Sequence, residues 1–137
     1  MEFLTLTGRK KKLSSVKKYI INWNDKSRSK FQKNVKDFLH NYWKLDIVFE
    51  EFPLAGTRQT FDFFNFNKKI IIEVQGAQHQ KYVKHFHGES VLGWVRQVKK
   101  DMNKIKFCEL NDLKFFEIFP EDEISRDSFE EKGIELI

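Results

Sequence analysis

Two β-like runs joined by a two-residue turn constrain this chain more than any other stretch. The segment TFDFFNFNKKIIIEVQGAQH holds the runs Thr60 to Phe66 and Lys69 to Gln75 on either side of Asn67-Lys68. With that turn, Phe66 faces Lys69, Phe64 faces Ile71 and Asp62 faces Glu73. Opposed residues in an antiparallel pair have Cβ atoms about 4.5–5.5 Å apart, and like charges there are destabilising. A divalent cation bound by oxygen ligands offsets such repulsion. Magnesium takes one or two carboxylates together with waters and phosphate oxygens. The pairing therefore points to metal-assisted chemistry on a phosphate.

The flanking elements follow from periodicity. Ser27 or Ser29 can cap a helix running to about Trp43. Its apolar positions Phe31, Val35, Phe38, Leu39, Tyr42 and Trp43 lie on one face. Lys30, Lys33, Asn34 and Lys36 lie off that stripe, toward solvent or DNA. Asp46 to Phe52 reads as a strand that turns at Pro53-Leu54-Ala55-Gly56. Ile70, Ile71 and Ile72 form the continuous apolar run expected of a strand buried on both faces. A His- and Gln-rich loop from Gly76 leads to a second helix, about Glu89 to Asn111. Leu113 to Phe119 is the last strand. A right-handed crossover places it in the sheet of the first three, which becomes mixed. The predicted fold class is α/β: helix, three-stranded antiparallel meander, helix, strand.

Length and composition narrow the class. At 137 residues the chain is about one domain. Fifteen Phe and three Trp supply a core. No run of 18 apolar residues predicts a transmembrane helix, and the start MEFLTLTGRKKK lacks the order of a signal peptide. The single cysteine, Cys108, excludes a multi-cysteine zinc ribbon and fits a reducing interior, so a cytoplasmic location is expected. Charge is unevenly spread. Residues 1–45 carry 12 basic and 3 acidic side chains, a net of +9, whereas the remainder carries 13 and 17, a net of −4. A concentrated basic segment suits a polyanion, most simply DNA or RNA. The chain is accordingly divided into an irregular basic arm (1–26), a core (27–120) and an acidic tail (121–137) with a short closing helix. Arg9, Lys10, Lys11, Lys12, Lys17, Lys18, Arg28, Lys30 and Arg58 are the expected DNA contacts.

Phosphodiester hydrolysis needs an activated water, neutralised phosphate charge and a stabilised leaving oxygen, all of which Mg²⁺ can supply. Asp62 and Glu73 are the candidate metal ligands, with the Val74 carbonyl as a third oxygen. Gln75 shares the strand face of Glu73 and can orient water or phosphate. His79 can act as acid, base or phosphate contact. Glu50 and Glu51 neighbour Asp62 in the meander. One is expected to face the metal and the other solvent, with Glu51 preferred for the site. Gln97, Asp101 and Lys104 form a helical stripe that reads as a solvated face with local pairing.

Asp62 followed by Glu73-Val74-Gln75 resembles the Asp and (D/E)XK triplet of the PD-(D/E)XK nuclease superfamily, with Gln in place of Lys. Within it, SRSKFQKNVKDFL, PLAGTRQTFDFF, EVQGAQH and VRQVKKDMNKIKFCELNDLKFFEIF are similar to segments of the very short patch repair endonucleases and related phage homing endonucleases, the EDxHD group. The resemblance covers about residues 27–119 and implies a restriction-endonuclease-like mixed sheet flanked by helices. By position it implies that Asp62 is the principal metal ligand, that His79 is the catalytic His, and that Asp101 is the Asp of the second helix. The family's acid in the first helix falls near Gln32, which is not acidic, so Glu50 or Glu51 stands in. The zinc-binding Cys and His residues of the repair enzymes are absent, which favours the homing type.

The expected activity is a Mg²⁺-dependent endonuclease, with Mn²⁺ able to substitute, that nicks or cleaves double-stranded DNA in a phage-infected bacterial cell. Cutting both strands requires a homodimer or two sequential nicks. The alternatives are a structure-selective junction or repair nuclease and a catalytically inactive DNA-binding module.

Overall fold

Ser29 starts the first helix. Its hydroxyl accepts a hydrogen bond from the Gln32 N–H at 3.1 Å, satisfying one of the donors that helix ends leave unpaired. The computed structural model, which describes residues 1–76 and 89–137, carries this helix, α1, over Lys30–Trp43. Val35, Leu39 and Trp43 on its inner stripe are fully buried, as their four-residue spacing predicts.

Two short strands, β1 (Glu2–Leu4) and β2 (Lys10–Lys12), pair as an antiparallel hairpin. The main sheet contains β3 (Val48–Pro53), β4 (Thr60–Asn65), β5 (Ile70–Val74) and β6 (Lys114–Ile118), in that spatial order. The first three are antiparallel neighbours and β6 runs parallel to β5. The protein is thus α/β with a mixed four-stranded sheet. The second helix, α2, spans Glu89–Leu110 and a short α3 spans Arg126–Glu131. Among the described residues, no helix is long and apolar enough to cross a membrane.

Each face of the sheet has its own core. Val48, Phe63, Ile70, Ile72 and Ile118 pack with the α1 stripe, and Phe49, Phe64 and Ile71 pack with Phe107 and Cys108 of α2. Ile70, Ile71 and Ile72 therefore alternate between two apolar layers, which explains their uninterrupted run. On the turn side, β4 ends one residue earlier than expected, at Asn65, and β5 begins one residue later, at Ile70. Their register is unchanged, with Phe63 opposite Ile72 and Phe64 opposite Ile71.

The start of the chain differs from expectation, whereas the acidic end carries the expected short closing helix, α3. Residues 1–26 are not an irregular arm. Phe3 is buried against Phe52, Phe64 and Phe107, with ring centroids 5.7–6.3 Å apart. Asn111, just past α2, accepts from the Leu4 N–H at 2.8 Å and donates to the Leu4 carbonyl at 2.9 Å, as a neighbouring strand would. A 3₁₀ turn at Val16–Tyr19 and a bridge from Ile20 to Phe49 bring the chain back along β3. At the other end, Phe129, Ile134 and Leu136 are buried in the α1-side core. The acidic residues of that segment cover an apolar underside.

Phe3→Ala tests whether the hairpin belongs to the folding unit. Truncating a buried Phe costs about 3–5 kcal/mol, so urea unfolding of the variant should show a loss of about 3 kcal/mol. A loss under about 1 kcal/mol, within the range of a surface change, would mean that the hairpin docks without contributing to stability.

Candidate functional site

Asp62 and Glu73 lie one step beyond the last regular pair of the β4–β5 ladder, Phe63 with Ile72. From there the carboxylates take the backbone donors. The Asp62 N–H donates to Glu73 Oε1 at 3.0 Å, and the Val74 N–H donates to Asp62 Oδ2 at 2.7 Å. Each acid thus braces the other's strand. Both are only 5% exposed, which is rare for carboxylates unless they are paired or coordinated.

Lys104 of α2 supplies the charge partner. Its ammonium lies 2.8 Å from Glu73 Oε2. The stripe Gln97–Asp101–Lys104 is therefore not a plain solvated face, because Lys104 turns inward to the sheet. Asp101 does not join it. Its carboxylate accepts from Gln97 Nε2 at 3.1 Å, and it is not among the residues that line the cleft above the acids.

Burial dominates the acid–base behaviour of the pair. Desolvation raises the Asp62 carboxyl to about 6, against a Val74 hydrogen bond that lowers it and a neighbouring Glu51 charge that raises it. Desolvation and the Asp62 charge raise Glu73 to about 7, although Lys104 pulls it down. The nearby Cys108 thiol is pushed up to about 12 by burial and by the Glu73 charge. A thiol so far from ionisation is no nucleophile.

A second acidic group borders the first. Register places Glu51 opposite Asp62, between the pairs Glu50–Phe63 and Phe52–Phe61. Glu51 has φ 52°, a left-handed conformation that costs a non-glycine residue about 1–3 kcal/mol. This local twist breaks the usual alternation of faces. Glu50 and Glu51 therefore do not divide between metal and solvent. Both turn toward α1, where Gln32 Nε2 donates to each at 3.1 Å. Glu51 also pairs with Arg28 and accepts from Thr60 Oγ1 at 3.1 Å. Glu50 accepts from the fully buried Lys36 at 2.8 Å and from Ser27 Oγ at 2.6 Å. Lys36 is thus an internal counter-ion instead of a solvent or DNA contact.

The acids form part of the lining of an open cleft of about 640 Å³ whose cations are Arg28, Arg58, Lys100 and Lys104. Gln75 lines it too, but its Nε2 donates to Glu117 Oε2 at 2.9 Å. Glu117 stands beside Glu73 in the parallel register. Val74 contributes its N–H to Asp62. His79 lies outside the described residues. Lys30 is exposed at the start of α1, and Lys10, Lys11 and Lys12 are exposed on β2, next to Arg9. Lys17 and Lys18 sit on the 3₁₀ turn. Lys100, Lys104 and Glu117 were not among the expected site residues. Glu117 had a visible signal, because FFEIF repeats the pattern of an acid ending an apolar run seen in IIIEV.

Asp62 and Glu73 are the carboxylates that line the cleft. Two buried carboxylates whose ionisation is opposed by burial and by a neighbouring acid fit a hard divalent cation, which keeps its own waters. Among the described residues, no three His, Cys, Asp or Glu side chains converge as a fuller ligand set. Comparison with protein-family models, with curated protein sequences and with solved structures yields no match.

The raised carboxyls carry a defined pH signature. Their folded values lie above the ordinary values of 3.8 and 4.5, so the folded chain holds protons that the unfolded chain releases. Their stabilising contribution is complete below about pH 4 and is lost as pH rises through about 6 to 7. Urea unfolding of wild type and of Asp62→Asn/Glu73→Gln between pH 4 and 8 isolates the effect. Relative to wild type, the variant should gain stability as pH rises. Parallel pH curves would show that the pair is ordinary in its ionisation.

Proposed function

We propose that this protein is a divalent-metal-dependent endonuclease that hydrolyses phosphodiester bonds in double-stranded DNA, of the phage homing type within the PD-(D/E)XK superfamily. The observation that carries the reading is the buried Asp62–Glu73 pair beneath a cleft rimmed by Arg28, Arg58 and Lys100, with Lys104 beside it. Carboxylates at the floor and cations at the rim suit a bound metal and a bound phosphate respectively. The mixed sheet with α1 and α2 on opposite faces supports a restriction-endonuclease-like arrangement.

Asp62 and Glu73 would hold Mg²⁺, or Mn²⁺ in its place, and the ion would polarise the phosphate and lower the pKa of a water. The protein's own groups do the rest. Lys104 carries positive charge next to Glu73, where negative charge builds on the phosphoryl oxygens, and such placed charge is strongest in a partly desolvated site. Arg58 and Lys100 fix the backbone by its phosphates, which sets position without reading sequence. Hydrolysis forms one P–O bond from water and breaks one to a deoxyribose oxygen, which leaves as an alcohol. In this reading Gln75, held by Glu117, orients water or phosphate, and the basic hairpin binds the flanking duplex.

A second reading has its own support in the Lys104–Glu73 ion pair, which balances one acid without any metal. A DNA-binding module that does not cleave would keep that pair.

Incubation of supercoiled and linear duplex with the purified protein, with and without Mg²⁺, separates the two. Wild type should cleave only with metal. Asp62→Asn should abolish cleavage while leaving duplex affinity within about threefold, and Lys104→Met should slow it by about 10²-fold, the scale of losing one transition-state contact. Metal-independent cleavage, or activity that survives Asp62→Asn, contradicts the proposed site. Binding without cleavage in any divalent metal favours the module.

A further inference from the structure

We propose that a second depression next to the cleft holds the nucleotide adjacent to the scissile phosphate, its phosphate on Lys18, Lys26 and Arg28 and its base or sugar against Tyr19 and Ile20. This rests on the nuclease reading above and extends it from a single phosphate to a strand path. The depression measures about 390 Å³, within the range of small-ligand sites. Arg28 lines both it and the cleft. A guanidinium has five N–H donors in a fixed fork, so Arg28 can contact neighbouring phosphates of one strand.

Neither lysine here is in an ion pair among the described residues. Among the described residues, the Lys26 ammonium has no hydrogen bond or ion pair, and Lys18 lies over the Tyr19 ring at 5.2 Å. The acids that line the depression are largely balanced already. Glu50 is paired with Lys36 and Glu51 with Arg28, which leaves Asp25 against Lys18 and Lys26. The apolar component is equally specific. Ile20 is 52% exposed, and Tyr19 is propped edge-on against Phe52 at 5.8 Å. Cations interleaved with a fixed aromatic ring suit a nucleic-acid strand, whose backbone needs charge and whose sugar, or a base unstacked beside the cut, takes a flat apolar contact. A single phosphate or a mononucleotide would fill only part of the combined site.

The test is equilibrium binding of a fluorescent duplex oligonucleotide across a NaCl series in EDTA, so that cleavage plays no part. Lys18→Ala/Lys26→Ala should weaken binding about tenfold and reduce the slope of log K against log salt by about 1, the loss of one phosphate contact. Ile20→Ser should weaken binding without changing the slope, and thymidine monophosphate should not displace the duplex at concentrations where an unlabelled oligonucleotide does. Unchanged affinity and slope in the double lysine variant, with metal-dependent cleavage intact in wild type, would overturn the strand path and leave the nuclease reading standing. Loss of slope in that variant, with no cleavage by wild type, would support the depression and overturn the nuclease reading.

Discussion

The reciprocal bracing of Asp62 and Glu73 is the constraint on which the rest of the structure depends. Each carboxylate accepts a backbone N–H from the opposite strand at the point where the regular β4–β5 pairing ends. An antiparallel ladder that continued would bury only backbone. Here side chains replace backbone acceptors, and the β4–β5 ladder ends in two acids at the floor of a cleft. Leaving buried donors unpaired costs about 1–3 kcal/mol each, so the strand ends could not open in this way without the carboxylates. The same bonds that end the β4–β5 ladder fix the acids in place, the rigidity that the proposed phosphate-cleaving role would need.

The frame that holds this feature was largely legible in the sequence. Ser29, the apolar stripe of α1 and the run Ile70–Ile72 each carry a local signal that packing does not override. The register of β4 and β5 followed from a turn at Asn67-Lys68, and Asn65 reinforces it by accepting from the Lys68 N–H at 2.9 Å. The hairpin at the start was not legible, because β2 is three lysines and β1 is three residues long. Neither has the length or pattern of a strand. They are held by Phe3 in a distant aromatic cluster and by Asn111, which is 107 positions from Leu4. Contacts across such a separation leave no periodicity to read.

The site was legible in its acids and obscure in its cations. Asp62 and Glu73 follow from register alone, and register is a local property. Lys36 and Lys104 look like ordinary helix-surface lysines, and whether a helical lysine points inward depends on how the helix rotates over the sheet. Glu51 is a third kind of case. Its left-handed backbone reverses the face that alternation predicts, and a non-glycine residue in that conformation carries no sequence mark. Arg28, Gln32 and Thr60 hold it there by hydrogen bonds to its side chain, so the strain is offset by contacts and not by residue type.

Register also sets Glu51, Asp62, Glu73 and Glu117 in one row across β3 to β6, and their partners differ along it. Glu51 has Arg28, Glu73 has Lys104 and Glu117 has the Gln75 amide. Asp62 accepts from a backbone N–H and, among the described residues, has no ion pair. It is flanked in the row by two acids. Protein charges therefore serve its neighbours directly and serve Asp62 only through space, from Lys104 and Arg28. In the proposed reading an added cation would find at Asp62 a buried carboxylate with no direct ion pair, and at Glu73 one already paired with Lys104. Asp62 and Glu117 thus both lack an ion pair among the described residues, and of the two Asp62 lines the cleft.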